Sequence, residues 1–185
     1  MGRVITFSGP RGVGKTTIMD VLHVEHGYEP IVPYTTRKRR PHETDGRDYH
    51  FLSSGDFNDL SHASPLFDIV TVGGNQYGTP LSVIEGAWQS EQTRTFNLAS
   101  TSALELRKLG GEFVRTIMLL PASWSDVADM MRANGISEED VKYRIDHEPT
   151  DLTQLPQFDQ LVINPRNEID IAIASITRYI ASLDA

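Results

Sequence analysis

Residues 9–17 read GPRGVGKTT, which fits the spacing G-x-x-x-x-G-K-[ST]. Glycines at positions 9, 12 and 14 let successive backbone N–H groups turn inward with no Cβ in the way, and this makes a nest for phosphate oxygens. A helix opening near Lys15 adds the positive end of its dipole. Lys15 is then in place to reach β- and γ-phosphates, and the Thr16 hydroxyl to hold Mg²⁺. The expected triphosphate set is Gly9, Gly12, Val13, Gly14, Lys15, Thr16 and Thr17. The motif points to a nucleoside triphosphate and says nothing of the acceptor.

A second stretch has chemistry in it. YTTRKRRPHETDGRDYHF, residues 34–51, holds five of the 17 Lys and Arg residues. The whole chain carries a net charge of −8, so a broad nucleic-acid surface is not expected and the basic loop must act locally. A guanidinium fork matches phosphate oxygens two at a time, and a phenol adds a neutral donor. A small phosphorylated substrate suits such a loop. The histidines offer nothing comparable: His23 and His26 are three apart and the other four are scattered, so no metal site is expected among them.

Positioning these residues calls for an alternation of short β-rich runs and helical stretches. The spacing predicts strands at residues 4–7, 31–34, 93–98, 113–120 and 160–163, and helices at 15–26, 100–109, 123–133, 138–147 and 167–183. That alternation implies a parallel sheet covered by helices. Ile169, Ile173, Ile176 and Ile180 repeat on one face of the last helix, which should lie on the sheet. Between residues 48 and 83 the texture changes. DYHFLSSGDF and PLFDIVTVGGNQYGTP read as short strands, with turn signals at Ser53-Ser54-Gly55 and Gly73-Gly74. They suggest a β-rich insertion in an α/β core. Trp88, Trp124, Met118, Met130 and Met131 read as packing residues.

With 185 residues and 39% apolar content, one domain is expected. Cysteine is absent, which excludes disulfides and suits a reducing compartment. No apolar run approaches the ~18 residues of a membrane span. The opening RVITFS is too short for a signal-peptide core. MGRVIT matches the N-myristoylation pattern, but residues 3–8 serve better as a buried strand. A soluble, cytoplasmic monomer or homodimer is expected, with no membrane or nucleic-acid partner.

The basic loop is more specific than its charge. TTRKRRPHETDGRDYHFLS, with the phosphate loop, NQYGTP and the late VIN ending at Asn164, resembles the guanylate kinase family over almost the whole chain. The resemblance implies a P-loop NTPase core at residues 1–33, 93–133 and 151–185, a β-rich nucleoside-monophosphate-binding region at about 34–92 and a helical lid at about 134–150. It implies transfer of the ATP γ-phosphate to a purine nucleoside monophosphate, GMP or dGMP first, with small-molecule nucleotides as the partners. On this likeness Arg37 and Arg40 grip the acceptor phosphate, and Tyr49 and Tyr77 donate hydroxyls to it. Asp68 accepts from guanine N1–H and N2–H₂, and Thr79 donates to O6. Taken alone, Asp68 also fits an edge-strand charge and Thr79 a helix cap before Pro80. Asn164 belongs to the ATP side, and Arg144 with Arg132 attends the migrating phosphoryl group. Lys38, Arg39 and Arg47 have no counterpart role and are expected to be solvated charges.

The chain departs from that family's pattern in four respects. Pro33 replaces a base-contacting serine, and Asp68 is a carbon shorter than the usual glutamate. Asn97 and Ala99 replace two aspartates at the end of the central strand, and Met130 and Asn134 replace lid arginines. Other readings therefore stay open. One is a kinase for a modified purine nucleotide or for ribose 1,5-bisphosphate, and another is a catalytically weak binding module of the same fold.

Overall fold

The strand that feeds the phosphate loop, β1 (Val4–Ser8), is buried along its whole length. A strand hidden on both faces belongs in a parallel sheet with helices on either side. The computed structural model, which describes residues 2–133, 135–147 and 154–183, has such a sheet. Its members are β2 (Glu29–Pro30), β7 (Arg94–Asn97), β1, β8 (Val114–Pro121) and β9 (Gln160–Asn164), in the order β2-β7-β1-β8-β9. The β2/β7 and β8/β9 pairs run parallel.

The chain divides into two compact units. The larger comprises Ile5–Tyr28 and Asn97–Ala185. Its core gathers Ile5 and Phe7 of β1, Ile117 and Leu119 of β8 and Val162 of β9 under α1 (Lys15–His26) and α7 (Ile169–Ser182). Ile173, Ile176 and Ile180 lie in that core, as their spacing predicts, and Ile169 packs against it. Thr6, Thr116 and Met118 alternate with the core positions along their strands and are just as buried. Helix α4 (Ser100–Gly110) packs on β8. The α5 (Trp124–Ala133) and α6 (Glu138–His147) helices share a small cluster of Val127, Ala128, Met131 and Val141.

A polar staple fixes the start of β9. Asp159 accepts from Thr116 N at 2.8 Å and Thr116 Oγ1 at 3.1 Å, while Asp159 N donates to Thr116 Oγ1 at 3.0 Å. Arg107 of α4 closes the group with an ion pair to the same carboxylate. The pairing of Ile117 with Gln160 begins one residue further on.

The smaller unit comprises Met1–Val4 and Glu29–Phe96. Its four-stranded sheet has the order β4-β3-β6-β5, with β3 (Tyr34–Thr35), β4 (His50–Phe51), β5 (Leu66–Val72) and β6 (Asn75–Pro80). Gly73 and Gly74, both at positive φ (56° and 76°), turn β5 into antiparallel β6 as a two-residue hairpin loop. Helices α2 (Ser54–Ala63) and α3 (Leu81–Gln89) pack against β6.

Several local expectations fail here, each for a physical reason. Of the strand expected at 31–34 only Tyr34 forms one, as the first residue of β3; β2 already ends at Pro30, and Pro33 supplies no N–H for a ladder. DYHFLSSGDF is a strand only at His50–Phe51, because Ser53 starts a helix. The Ser53 hydroxyl accepts from Asp56 N at 3.1 Å and donates to the Asp56 carboxylate at 2.6 Å, a cap that overrides the turn signal of Gly55. Helix α3 is a further element the periodicity did not reveal. Trp124 is 40% exposed at the first position of α5 rather than packed, whereas Met118 and Met131 are buried and Met130 is half-buried. Of the segment expected as a lid, α6 is helical, while Asn134 and residues 148–150 lie outside the described residues. Among the described residues no helix is long and apolar enough to cross a membrane.

The α7 face yields a direct test. Ile176 is fully buried and Ile171 is 55% exposed. Ile176→Ala should destabilise by about 2–5 kcal/mol, and Ile171→Ala by no more than about 0.5 kcal/mol, read from urea unfolding midpoints.

Candidate active site

β1 ends at Ser8, whose hydroxyl donates to the Leu98 carbonyl at 3.0 Å. The chain then turns through Gly9, Gly12 and Gly14 at φ 143°, 79° and 93°. A Cβ at Gly9 would overlap the Leu119 carbonyl, and one at Gly14 would lie 2.6 Å from Asn164 Nδ2. Both positions therefore exclude a side chain. Buried Val13 anchors the loop from below. Helix α1 begins at Gly14 with no side-chain cap and no acidic residue in its first turn, so its first N–H groups face outward for an anion.

Lys15 Nζ donates to the Gly9 and Pro10 carbonyls at 2.7 and 3.0 Å. Its ammonium sits over the loop that carries it. The Thr16 and Thr17 side chains are exposed. Asn164, at the end of β9, donates Nδ2 to the Val13 carbonyl at 2.8 Å, and its Oδ1 is buried with no hydrogen-bond partner. Asn164 thus grips the phosphate loop itself. A side-chain-free cradle, an uncapped helix start and an ammonium suit the phosphates of a nucleoside triphosphate. One neutral hydroxyl suits Mg²⁺, which takes few protein ligands and fills its shell with water and substrate phosphate.

The basic loop lies in the other unit, and its centre is a carboxylate. Glu43 is only 6% exposed. Its two oxygens take Arg37 Nη2 at 2.7 Å and Nη1 at 3.0 Å, and Oε2 also accepts from Arg40 N at 2.8 Å. Arg39 Nη1 donates to the Glu43 carbonyl at 2.6 Å, so Arg39 is tied into the turn rather than merely solvated. The Arg37 guanidinium holds the Glu43 carboxyl down to about 2, against an ordinary value of 4.5, and Glu43 in turn raises Arg37. Sequence reasoning kept Glu43 in the motif but gave it no role. The signal was the first acid after the cation run at 37–40, six residues on from Arg37.

Tyrosines line the guanidinium. Arg37 Cζ is 5.4 Å from the Tyr49 ring centre and 5.6 Å from that of Phe51, and Tyr49 meets Tyr77 edge-on at 5.8 Å. Burial pushes the Tyr49 phenol up, so it stays a neutral donor. Arg37, Tyr49 and Tyr77 are thus brought together, while Arg40 joins them through its backbone and its side chain is exposed. Thr35 Oγ1 accepts from Arg37 N at 3.1 Å and donates to Gln76 O at 2.9 Å, which ties the loop to β6.

Asp68 and Thr79 stand on paired strands. Phe67 of β5 pairs with Thr79 of β6, and the register then shifts between Phe67 and Val70. Asp68 sits in that irregularity at φ 57°, a left-handed conformation that Asp tolerates better than most residues. Such a bulge re-aims a side chain. Thr79 is 1% exposed.

The profile of one protein family, guanylate kinase, matches residues 1–183. The chain belongs to the guanylate kinase family. It is therefore a phosphotransferase of the nucleoside monophosphate kinase type, with the α/β P-loop core and helix-flanked parallel sheet that the sequence implies. The guanylate kinase of Nitrobacter hamburgensis is 33% identical over 178 residues, covering 95% of this chain and 80% of that protein. That of Streptococcus thermophilus is 30% identical over 182 residues, covering 97% and 86%. In fold, the crystal structure of guanylate kinase from Anaplasma phagocytophilum matches with a TM-score of 0.68 over 98% of this chain and 85% of that one, at 20% identity.

On α5, every guanidinium nitrogen of Arg132 is engaged. Its Nε and Nη2 donate to Glu138 at 2.8 and 2.7 Å, and Nη1 to Asp129 at 2.9 Å. The two carboxylates raise the Arg132 pKa. Arg166 Nη1 holds the other oxygen of Asp129 at 2.9 Å. Arg144 lies on α6, and its side chain is outside the described residues. Asn97 and Ala99, where the family's aspartates are expected, are both exposed.

The Arg37–Glu43 pair predicts an acid response. The folded carboxyl lies below its unfolded value, so its stabilisation is complete above about pH 5 and is lost as pH falls toward about 2. Glu43→Gln should be less stable than wild type at neutral pH, and the gap between the two unfolding midpoints should narrow steadily toward acid pH.

Proposed function

We propose that this enzyme transfers the γ-phosphoryl group of ATP, with Mg²⁺, to GMP or dGMP. The observation that carries this reading is the Arg37 guanidinium, steered by Glu43 and lined by Tyr49, which forms a clamp for one phosphate in an otherwise acidic chain. The acceptor phosphate is already ionised at neutral pH, so the reaction needs no general base. Catalysis rests on alignment and on neutralising charge.

On the donor side, Gly9, Gly12, Val13, Gly14 and Thr17 cradle the phosphates while Asn164 keeps the loop in shape. Lys15 leaves the Gly9 and Pro10 carbonyls for the β- and γ-phosphate oxygens. Thr16 would hold Mg²⁺, which would supply Lewis-acid charge neutralisation when bound. On the acceptor side Arg37, Arg40, Tyr49 and Tyr77 bind the monophosphate, and Asp68 with Thr79 reads guanine. Arg144 attends the migrating group. Arg132 joins it by exchanging Asp129 and Glu138 for phosphoryl oxygens, which makes it the weaker contributor.

Two measurements test the reading. Lys15→Ala should lower turnover by about two orders of magnitude or more, since it removes charge from the transferring group. Circular dichroism should show the fold unchanged, and turnover within about threefold of wild type would overturn the mechanism. The second measurement concerns the base. Guanine N1–H and N2–H₂ pair with a carboxylate at Asp68, whereas adenine N1 faces it with a lone pair and leaves buried groups unpaired. GMP should therefore be preferred over AMP by a wide margin in kcat/KM, and Asp68→Asn should narrow it. Equal use of AMP and GMP by wild type would remove Asp68 from base recognition.

A further inference from the structure

Arg37 has five N–H donors, and three have partners in the turn that carries it. Nη1 gives one to the Lys38 carbonyl at 2.9 Å and one to Glu43 Oε2 at 3.0 Å, and Nη2 gives one to Glu43 Oε1 at 2.7 Å. Covalent geometry fixes the rest. The Nε–H and the second Nη2–H point the same way along one edge of the planar group, spaced for two oxygens of a single phosphate. The Tyr77 hydroxyl interacts with the same guanidinium. Glu43 also pins the remainder of the turn, through Arg40 N at 2.8 Å, Arg39 Nη1 at 2.6 Å and its own N–H to the Arg40 carbonyl at 3.1 Å.

We propose that Glu43 is the positioning residue of the acceptor clamp: by taking the end-on fork of Arg37 and the backbone N–H of Arg40, it leaves Arg37 only its side-on edge for the substrate phosphate and sets where that edge points. The proposal rests on the reading of Arg37 as an acceptor-phosphate ligand. Glu43 is not a placeholder that substrate displaces. Moving it out would strand a carboxylate that is 6% exposed and would abandon the Arg40 N–H, with the large desolvation penalty of an unpaired buried charge. The pair stays formed, and the phosphate adds to it as a third member.

A positioning role for the phosphate differs from a structural role in what it spares. Guanosine lacks the phosphate, so its affinity reports the base and ribose contacts alone. NMR titration of the full chain with GMP and with guanosine gives the phosphate increment as the ratio of the two dissociation constants. In Glu43→Gln one oxygen of the fork becomes an NH₂ that faces an Arg37 N–H, so the edge loses its orientation. The increment should fall about tenfold or more, the loss of one charge-assisted contact. Guanosine affinity and the KM for ATP should stay within about twofold in the same variant. Glu43→Asp keeps the charge but cannot span both Nη atoms, and it should lose part of the increment. It also serves if Glu43→Gln does not fold.

Equal weakening of GMP and guanosine would reduce Glu43 to a structural residue, and an unchanged increment in a folded variant would overturn the proposal outright. Arg37→Ala separates the two readings. If it loses the increment while Glu43→Gln keeps it, Arg37 remains the phosphate ligand and only the role of Glu43 falls. If Arg37→Ala keeps the increment, the acceptor assignment falls and takes this proposal with it.

Discussion

A helix cannot begin without leaving backbone N–H groups unpaired, and this fold satisfies that requirement differently at different helices. Helix α2 uses the Ser53 hydroxyl. Helix α1 uses nothing of its own: its cap position is Gly14, and neither a side chain nor an acidic residue meets its first turn. Much else in the larger unit keeps that end open and rigid. β1 is buried on both faces, so it delivers Gly9 to one place, and the Leu119 carbonyl leaves no room there for a Cβ. Asn164 reaches from β9 to hold Val13 and leaves its own oxygen unpartnered. The fold leaves this helix start without a side-chain cap, at some expense to its own hydrogen bonding.

In the smaller unit the phosphate of the proposed acceptor would be met by side chains. Cations crowded into one loop repel each other, and a flexible arginine loses rotamer freedom each time it is ordered. Glu43 relieves both difficulties. It neutralises one charge, and its carboxylate and main chain fix residues 37–40 as a single turn. The aromatic rings beside Arg37 exclude water from the ion pair and strengthen it. An acidic protein can therefore present a local positive edge without a large basic surface.

What could be read from the sequence follows the range of the forces involved. The strand, glycine turn and α1 helix at 4–26 were legible because motif, periodicity and chain direction agree within a few residues. The α7 face was legible for the same reason. Ser53 to Asp56 was also a local signal, a helix cap with an acid three residues on, yet the neighbouring Ser-Ser-Gly has the composition of a turn and masked it. Pro30 and Pro33 were equally local signals and should have kept a strand from being drawn through residues 31–33. Other features were not legible at all. The left-handed backbone of Asp68 depends on the register of β5 against β6, and the capture of Arg132 depends on how α5 meets α6. Neither has a one-dimensional signature. Glu43 falls between the two cases: its position was plain, but only its burial reveals that it organises the cations around it.

The resting place of Lys15 has a kinetic meaning. An ammonium left in water would carry a full hydration shell, and shedding it would slow every encounter with a triphosphate. Here two main-chain oxygens, of Gly9 and Pro10, already stand in for part of that shell. In the proposed function the side chain exchanges these carbonyl oxygens for phosphate oxygens, so one polar partner replaces another and the ammonium is never stripped of all its contacts.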